Sequence, residues 1–395
     1  MATSHLAPNY APLPVVIRSG EGSWVKDVDG KTYFDALAGY SALNFGHRNP
    51  ELIAAAKEQL DTLTLTSRAF DNDRLDPFAD ALCALASTEM MLPMNTGAEA
   101  VETALKAMRR WGNLVKEVDP ERSTIIVADG NFHGRTSTII SFSTDPVAHD
   151  GYGPFMPGFV IVPYGDLAAF KAALTPEVVG VLLEPIQGEG GVVIPPADYL
   201  PGVAKLCKEH EVLLTIDEIQ SGLGRTGTTF ARELTGVTPD LMCLGKALGG
   251  GIMPVSAVTG RADVLGLFTA GTHGSTFGGN PLACAIALKV CEILARGVCQ
   301  KAATELGAML SARLQGFVDE GLLIARRSVG LWAGIDIDPQ YGTGRDLCEL
   351  LKEQGVLAKD THGSTVRLAP PLTTSAEDLE WALSRLEKSL LQLVQ

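Results

Sequence analysis

Lys246 stands in the run Asp240-Leu-Met-Cys-Leu-Gly-Lys-Ala-Leu-Gly-Gly-Gly-Ile-Met-Pro254, among Leu241, Met242, Leu244, Leu248 and Ile252. Desolvation of an ammonium in such company disfavours its protonated form, which is how a lysine becomes a nucleophile near neutral pH. A lysine whose stem leaves an apolar strand end and whose head reaches water is the commoner arrangement. The stretch Val212-Leu-Leu-Thr-Ile-Asp217-Glu-Ile-Gln220, an apolar run ending in a carboxylate shortly upstream, shifts the balance. Two buried strands, one delivering an acid and the next a lysine, suit a carbonyl cofactor with a basic ring. The lysine forms a Schiff base with it, and the aspartate keeps the ring nitrogen protonated. Pyridoxal phosphate answers that description.

Other residues could serve the same cofactor. In Asn95-Thr-Gly-Ala-Glu-Ala-Val-Glu-Thr-Ala-Leu-Lys106 small residues mark a strand turning into a helix. Free amides at such a helix start make an anion cradle, with Gly97 permitting close approach, although an ordinary cap at Asn95 or Thr96 explains the same pattern. Gly130-Asn-Phe-His-Gly-Arg135 offers Phe132 as a flat face for a ring and Arg135 as a fork for a carboxylate. Glu184-Pro-Ile-Gln-Gly-Glu189-Gly-Gly is a glycine-rich loop with two acids, for which a solvated turn is the plain alternative. Gly222-Leu-Gly224-Arg-Thr-Gly227 fits a dinucleotide fingerprint, but the polar stretch behind it is too short for the required crossover helix, and we reject that reading. Gly245-Lys246 lacks the upstream glycine and following Ser/Thr of a P-loop.

The elements that must position these residues follow from periodicity. Residues 15–34 alternate apolar and polar around glycine-bearing turns, which predicts a small antiparallel meander. Helices are expected from Asn49-Pro50 and over 74–87. From Met90 onward short buried strands (90–94, 124–128, 159–162, 178–184, 212–217, 241–244, 255–259) alternate with helices, notably 98–115 and 199–211. That rhythm predicts an α/β, mostly parallel, doubly wound sheet. Asn95, Asp129, Glu184, Asp217 and Lys246 all fall at or just after strand ends, where the chemistry of such sheets gathers. After Pro281 a long helix leads into a second αβ set, with helices over 301–320 and 345–354, strands over 331–337 and 365–368, and a last helix over 375–393 capped by Ser375. The expected division is an N-terminal segment 1–45 that joins the small domain, a large domain 46–285 and a C-terminal small domain 286–395.

A chain of 395 residues with a net charge of −14 gives no field for nucleic acid, so anionic substrates must be held by local arginines. Its start has neither the apolar core of a secretory signal nor the arginines of a transit peptide, and no run reaches membrane-spanning length. A cytoplasmic protein without membrane contact is expected. The seven cysteines include no Cys-x-x-Cys pair and the histidines no His-Glu-x-x-His, so no disulfide framework and no metal site are expected.

Together these residues resemble the class III aminotransferases of fold type I, which depend on pyridoxal phosphate. The likeness covers Tyr10 to Leu372 and is most specific over 214–227, Lys246 and Gly249–Gly251. Within the class it is closest to the ornithine δ-aminotransferases, through Asn9-Tyr10, Gly39-Tyr40-Ser-Ala-Leu-Asn, Leu65-Thr-Ser-Arg-Ala-Phe70, Gly153-Pro-Phe-Met-Pro-Gly158 and Val366-Arg-Leu-Ala-Pro-Pro371. His133 departs from the tryptophan that some ornithine enzymes carry; acetylornithine enzymes more often have histidine there.

The resemblance implies roles. Lys246 would hold the cofactor, Asp217 its ring nitrogen, Gln220 its ring hydroxyl, Phe132 its ring face, and the Gly97 and Ala98 amides its phosphate. Thr276 would reach the phosphate of the neighbouring subunit's cofactor, making a homodimer with shared sites, with larger assemblies left open. Arg135 would bind the α-carboxylate of ornithine and later the far carboxylate of 2-oxoglutarate. Arg367 would bind the α-carboxylate of 2-oxoglutarate, and Glu189 would cover Arg367 during the ornithine step. Tyr10 and Tyr40 would hold the α-amine and α-carboxylate end of ornithine. The implied reaction is ping-pong transamination of ornithine with 2-oxoglutarate. Acetylornithine or 4-aminobutyrate as the amine, or a non-catalytic protein keeping the fold, are the alternatives.

Overall fold

The structure is a computed structural model and describes residues 5–395. Its strands in chain order are β1 (Ile17–Glu21), β2 (Trp24–Asp27), β3 (Thr32–Asp35), β4 (Met90–Met94), β5 (Thr124–Ala128), β6 (Phe159–Val162), β7 (Val178–Leu183), β8 (Leu213–Asp217), β9 (Leu241–Leu244), β10 (Ser256–Gly260), β11 (Ala325–Ser328), β12 (Ala333–Asp336), β13 (Val356–Leu357), β14 (Lys359–Thr361) and β15 (Thr365–Leu368). A seven-stranded sheet in the order β4-β10-β9-β8-β7-β5-β6 forms the centre. Its neighbours from β9 to β6 are parallel, and β10 alone runs against both β4 and β9.

Parallel strands covered on both faces must be apolar on both faces, which is why their sequences read as continuous apolar runs. Along β5, Ile125 and Val127 enter one core with Ala104, Leu105 and Met108 of the helix Gly97–Leu114. Ile126 and Ala128 enter the other, with Tyr199, Val203 and Leu206 of the helix Tyr199–Glu209. Because β4, β5, β7, β8 and β9 share one direction, Asn95, Asp129, Glu184, Asp217 and Lys246 emerge along one edge.

Two four-stranded sheets flank this body. One is β1-β2-β3-β13, in which β3 pairs in parallel with β13 through Phe34↔Val356 and Asp35↔Leu357. The N-terminal meander therefore completes its sheet with a strand from the far end of the chain. The other, β11-β12-β15-β14, is antiparallel and covers the loop after β7. Arg327 Nε donates to Gly191 O at 2.8 Å and Thr361 Oγ1 to Glu189 O at 2.7 Å. That loop is consequently no solvated turn: Glu184, Ile186, Gln187 and Val192 are all buried. After Gly227 comes only a short 3-10 turn, Ala231–Thr235, so the glycine pattern at 222–227 has no crossover helix behind it. Among the described residues no helix is long and apolar enough to cross a membrane, and no group of side chains could hold a metal ion.

Candidate active site

The sheet edge opens into a cavity of about 140 Å³ lined by Gly97, Ala98, Phe132, Asp217, Gln220 and Lys246, with His133 and Glu184 among the other walls. A wider one of about 410 Å³ shares Gly97 and Lys246 and continues past Asn95, Thr96 and Met253. Lys246 begins a short turn with φ +44°, a left-handed conformation that lysine seldom adopts. Such strain persists only where the surroundings impose it. Its Nζ has no hydrogen-bond or ion-pair partner among the described residues. Burial pushes the ammonium's pKa down, against the attraction of Glu189, Asp217 and Glu184.

Asp217 closes β8 and is 5% exposed. Its Oδ2 accepts from His133 Nδ1 at 2.7 Å and its Oδ1 from the Ile219 N–H at 3.0 Å. Burial works to lower the His133 pKa, yet the bond and charge of Asp217 leave it raised. The other ring nitrogen, Nε2, is buried without a partner.

The expected phosphate cradle is the start of the helix Gly97–Leu114. Thr96 and Glu99 form a reciprocal capping box, in which Thr96 Oγ1 accepts from the Glu99 N–H and Glu99 Oε2 from the Thr96 N–H. The cap leaves the Gly97 and Ala98 amides without acceptors among the described residues, so capping does not use up the donors that an anion would need. The loop bearing Phe132 closes on this helix start because Gly134, at φ +132°, has no Cβ; one placed there would sit 3.0 Å from Ala98 Cβ.

Away from the sheet edge, Glu189 Oε1 pairs with Arg367 Nη1 at 2.6 Å and also accepts from Gln220 Nε2 at 3.2 Å. Arg367 is 4% exposed, donates to Gly188 O at 3.4 Å, and lies 5.3 Å from the Tyr40 ring centroid. Burial alone would raise the Glu189 pKa, but Arg367 beside it holds it below the usual value. Gly188 permits this packing: a Cβ there would fall 1.8 Å from Gln220 Oε1 and 2.7 Å from Trp332 Cζ2.

Six expected site residues do not line these two cavities in the single chain: Tyr40, Glu189 and Arg367 form the cluster just described, and Tyr10, Arg135 and Thr276 stand at the surface. Tyr10 is 77% exposed, Arg135 is exposed with its guanidinium 5.6 Å from the Phe132 ring, and Thr276 is exposed in the loop before Asn280. The structure also brings in residues that the sequence did not mark. His133, conspicuous only as a departure from a pattern, is the hydrogen-bond partner of Asp217. Arg225, inside the rejected glycine pattern, is completely buried: Nη1 donates to Leu331 O at 2.8 Å and Pro370 O at 2.7 Å, and Nη2 to Asn44 Oδ1 at 2.6 Å. It ties the segment carrying Tyr40 to the strand carrying Arg367, and burial pulls its pKa down to about 9. A buried cation held only by neutral acceptors has no spacing signature in a sequence.

These residues fit pyridoxal phosphate. Two unused amides at a helix start suit its phosphate, a buried carboxylate suits its ring nitrogen, and an unpartnered, desolvated lysine suits its aldehyde.

Comparison with known proteins agrees. The family profile "Aminotransferase class-III" matches residues 5–390. An ornithine aminotransferase from Brevibacillus brevis is 50% identical over 385 residues, covering 97% of this chain and 95% of the relative. One from Bacillus subtilis is 48% identical, covering 98% and 96%. Among solved structures, the ornithine aminotransferase of Toxoplasma gondii superposes with a TM-score of 0.96 at 42% identity, covering 99% of this chain and 93% of that one. The acetylornithine aminotransferase of Elizabethkingia anophelis superposes at 0.89 with 40% identity, covering 98% and 96%. In sequence over nearly its whole length, and in the course of its backbone, the chain belongs to the class III aminotransferases, enzymes of fold type I that use pyridoxal phosphate.

Proposed function

We propose that this aminotransferase moves the δ-amino group of L-ornithine to 2-oxoglutarate, giving glutamate 5-semialdehyde and glutamate. The observation that carries the reading is the Glu189–Arg367 pair under the Tyr40 ring. An arginine shaped for an α-carboxylate is there covered by an acid, so a substrate presents its distal amine first and a dicarboxylate second. The ornithine aminotransferases among its relatives support the same choice.

When bound, pyridoxal phosphate supplies an aldehyde that takes up an amine and a protonated ring that absorbs charge from the substrate carbon. Lys246 Nζ, desolvated and without a partner, removes the proton at that carbon and returns it one position along. Asp217 keeps the ring nitrogen protonated, and His133 Nδ1–H holds the carboxylate in place. The Gly97 and Ala98 amides hold the phosphate, Phe132 covers the ring and Gln220 contacts its hydroxyl. Arg135 takes the α-carboxylate of ornithine and then the far carboxylate of 2-oxoglutarate. Arg367 takes the α-carboxylate of 2-oxoglutarate once Glu189 turns away. Tyr40, with Tyr10 from the N-terminal segment, holds the amino-acid end of ornithine.

The working unit of this reading is a homodimer. Thr276 faces outward beside exposed Phe277, while Phe70 and Leu63 are apolar and exposed as well, as befits a face that a second copy covers. Thr276 would then complete the partner's phosphate site. The same reading divides the chain into 1–45, 46–285 and 286–395, supported by the separate sheets, and places the enzyme in the cytoplasm, supported by free thiols among its described residues.

His133 favours a second reading, N-acetylornithine as the amine. A half-reaction screen decides: the holoenzyme is mixed with ornithine, N-acetylornithine or 4-aminobutyrate and the cofactor's absorbance is followed. Fast conversion by ornithine alone is expected. Conversion by N-acetylornithine at a comparable rate would overturn the assignment.

A further inference from the structure

Glu184 lies one residue beyond β7 and is 6% exposed. Its Oε2 accepts the Phe132 N–H at 3.1 Å, and its backbone carbonyl accepts the Tyr164 hydroxyl at 2.9 Å. Oε1 has no partner among the described residues, and the side chain lines the same cavity as Asp217, His133 and Lys246. The titratable and charged groups that face it come from four elements. They are His133 from the loop after β5, Tyr164 after β6, Asp217 at the end of β8 and Lys246 after β9.

The chamber thus holds two buried carboxylates and one buried imidazole, with the half-buried Lys246 beside them. Like charges in such a space cannot both persist without direct partners. Asp217 has the imidazole N–H and a backbone N–H; Glu184 has one backbone N–H and one open oxygen. Glu184 is therefore the acid that gives up its charge. Burial first, and the Asp217 charge after it, push its pKa up to about 7, against the attraction of His133 and Lys246.

We propose that Glu184 is a positioning residue with a proton of its own: Oε2 fixes the Asn131–Phe132 peptide through the Phe132 N–H, and proton gain or loss at Oε1 sets how tightly Lys246 and His133 hold theirs. With Glu184 neutral the lysine is favoured as the free base that proton abstraction needs. With Glu184 ionised a further negative charge, beside those of Glu189 and Asp217 and against the Arg367 cation, stabilises the lysine's protonated form. Linkage makes the effect mutual, so these groups titrate as a set. The proposal rests on Lys246 being the lysine that meets the cofactor, but its first test needs no cofactor.

Infrared difference spectra of the ligand-free protein, taken between about pH 5 and about pH 9, read protonated carboxyl groups directly. Buried Glu218, also pushed up to about 7, provides an internal reference. Native protein is expected to lose two such bands near neutrality and Glu184→Gln only one. In the holoenzyme, the pH at which the Lys246-bound cofactor changes colour should fall in Glu184→Gln by roughly one unit, a tenfold change in proton affinity. Glu184→Ala, which also removes the acceptor of the Phe132 N–H, should add faster cofactor loss that Glu184→Gln does not show. Identical band sets in native protein and Glu184→Gln, or an unmoved colour change, would overturn the proposal. Should Glu184→Gln not fold, the Phe132 amide shift of native protein reads the same proton, and its failure to titrate near neutrality overturns the proposal equally. Absence of ornithine turnover alongside the expected bands would sink the substrate assignment and leave this inference standing.

Discussion

Glu189 Oε1 lies 2.6 Å from Arg367 Nη1, with the Tyr40 ring on the arginine and Gly188 O as a further acceptor. Truncating one partner of such a pair leaves a buried charge uncompensated, at a cost of about 3–5 kcal/mol that binding an anion can relieve. In Glu189→Ala the exposed guanidinium should draw the α-carboxylate of ornithine, bringing the α-amine to the cofactor. Product analysis after a single turnover should show the α- to δ-amine ratio rising at least tenfold. An unchanged ratio would count against the gate.

Gly188 sits where Gln220, Trp332 and Arg367 converge. Gly188→Ala forces a methyl into 1.8 Å of Gln220 Oε1 and must displace that side chain or the loop. Overpacking of this kind costs roughly 1–3 kcal/mol. Urea unfolding should register that loss, and the KM for 2-oxoglutarate should rise more than that for ornithine, because Gly188 O steadies Arg367.

Arg225→Met removes a cation that no acid contacts and strands Leu331 O, Pro370 O and Asn44 Oδ1 inside the protein. Losing the desolvation of the charge favours the variant, but each stranded acceptor costs about 1–3 kcal/mol. With three of them the loss should win. A fall in denaturation midpoint together with weaker 2-oxoglutarate binding is expected, since the strand bearing Arg367 loses its tie to the Tyr40 segment.

His273 supplies a pH dependence with a definite sign. Lys106 Nζ donates to its Nδ1 at 2.9 Å, and an ammonium can only donate, so Nδ1 is unprotonated and Nε2 carries the hydrogen facing Thr103 Oγ1 at 2.8 Å. Burial, then Lys106, lower its pKa from 6.5. Below about pH 6.5 the unfolded chain binds a proton that the folded one resists, so stability is lost as pH falls. Denaturation midpoints measured down to about pH 5 should fall less steeply for His273→Gln than for native protein.

Lys246 and Asp217 were legible in the sequence because two buried strands with chemistry at their ends leave an apolar-then-charged signature. The strands β5 and β9 were legible for the same reason, as apolar and almost wholly covered segments, whereas β4 and β6 read as apolar runs although partly exposed, and β15 although Arg367 interrupts it. The sequence hid β11, whose Ala-Arg-Arg-Ser residues are all half-buried, and the two-residue β13, which exists only because β3 waits for it. It hid the His133–Asp217 bond too, since the two stand 84 positions apart, more than any local pattern spans. Arg225 lies in a glycine pattern already rejected as a nucleotide loop, and its buried role stayed hidden because glycine spacing reports turn geometry and says nothing of what the turn encloses.

The parallel pairing of Phe34 with Val356 has a consequence for biogenesis. A ribosome releases the leading hairpin long before its neighbour exists, so one rim of that hairpin must stay unmatched through most of translation. Short length limits the hazard, with only Thr32–Asp35 on offer. Closure joins segments separated by nearly the whole polypeptide, which makes this join a late and slow event in maturation.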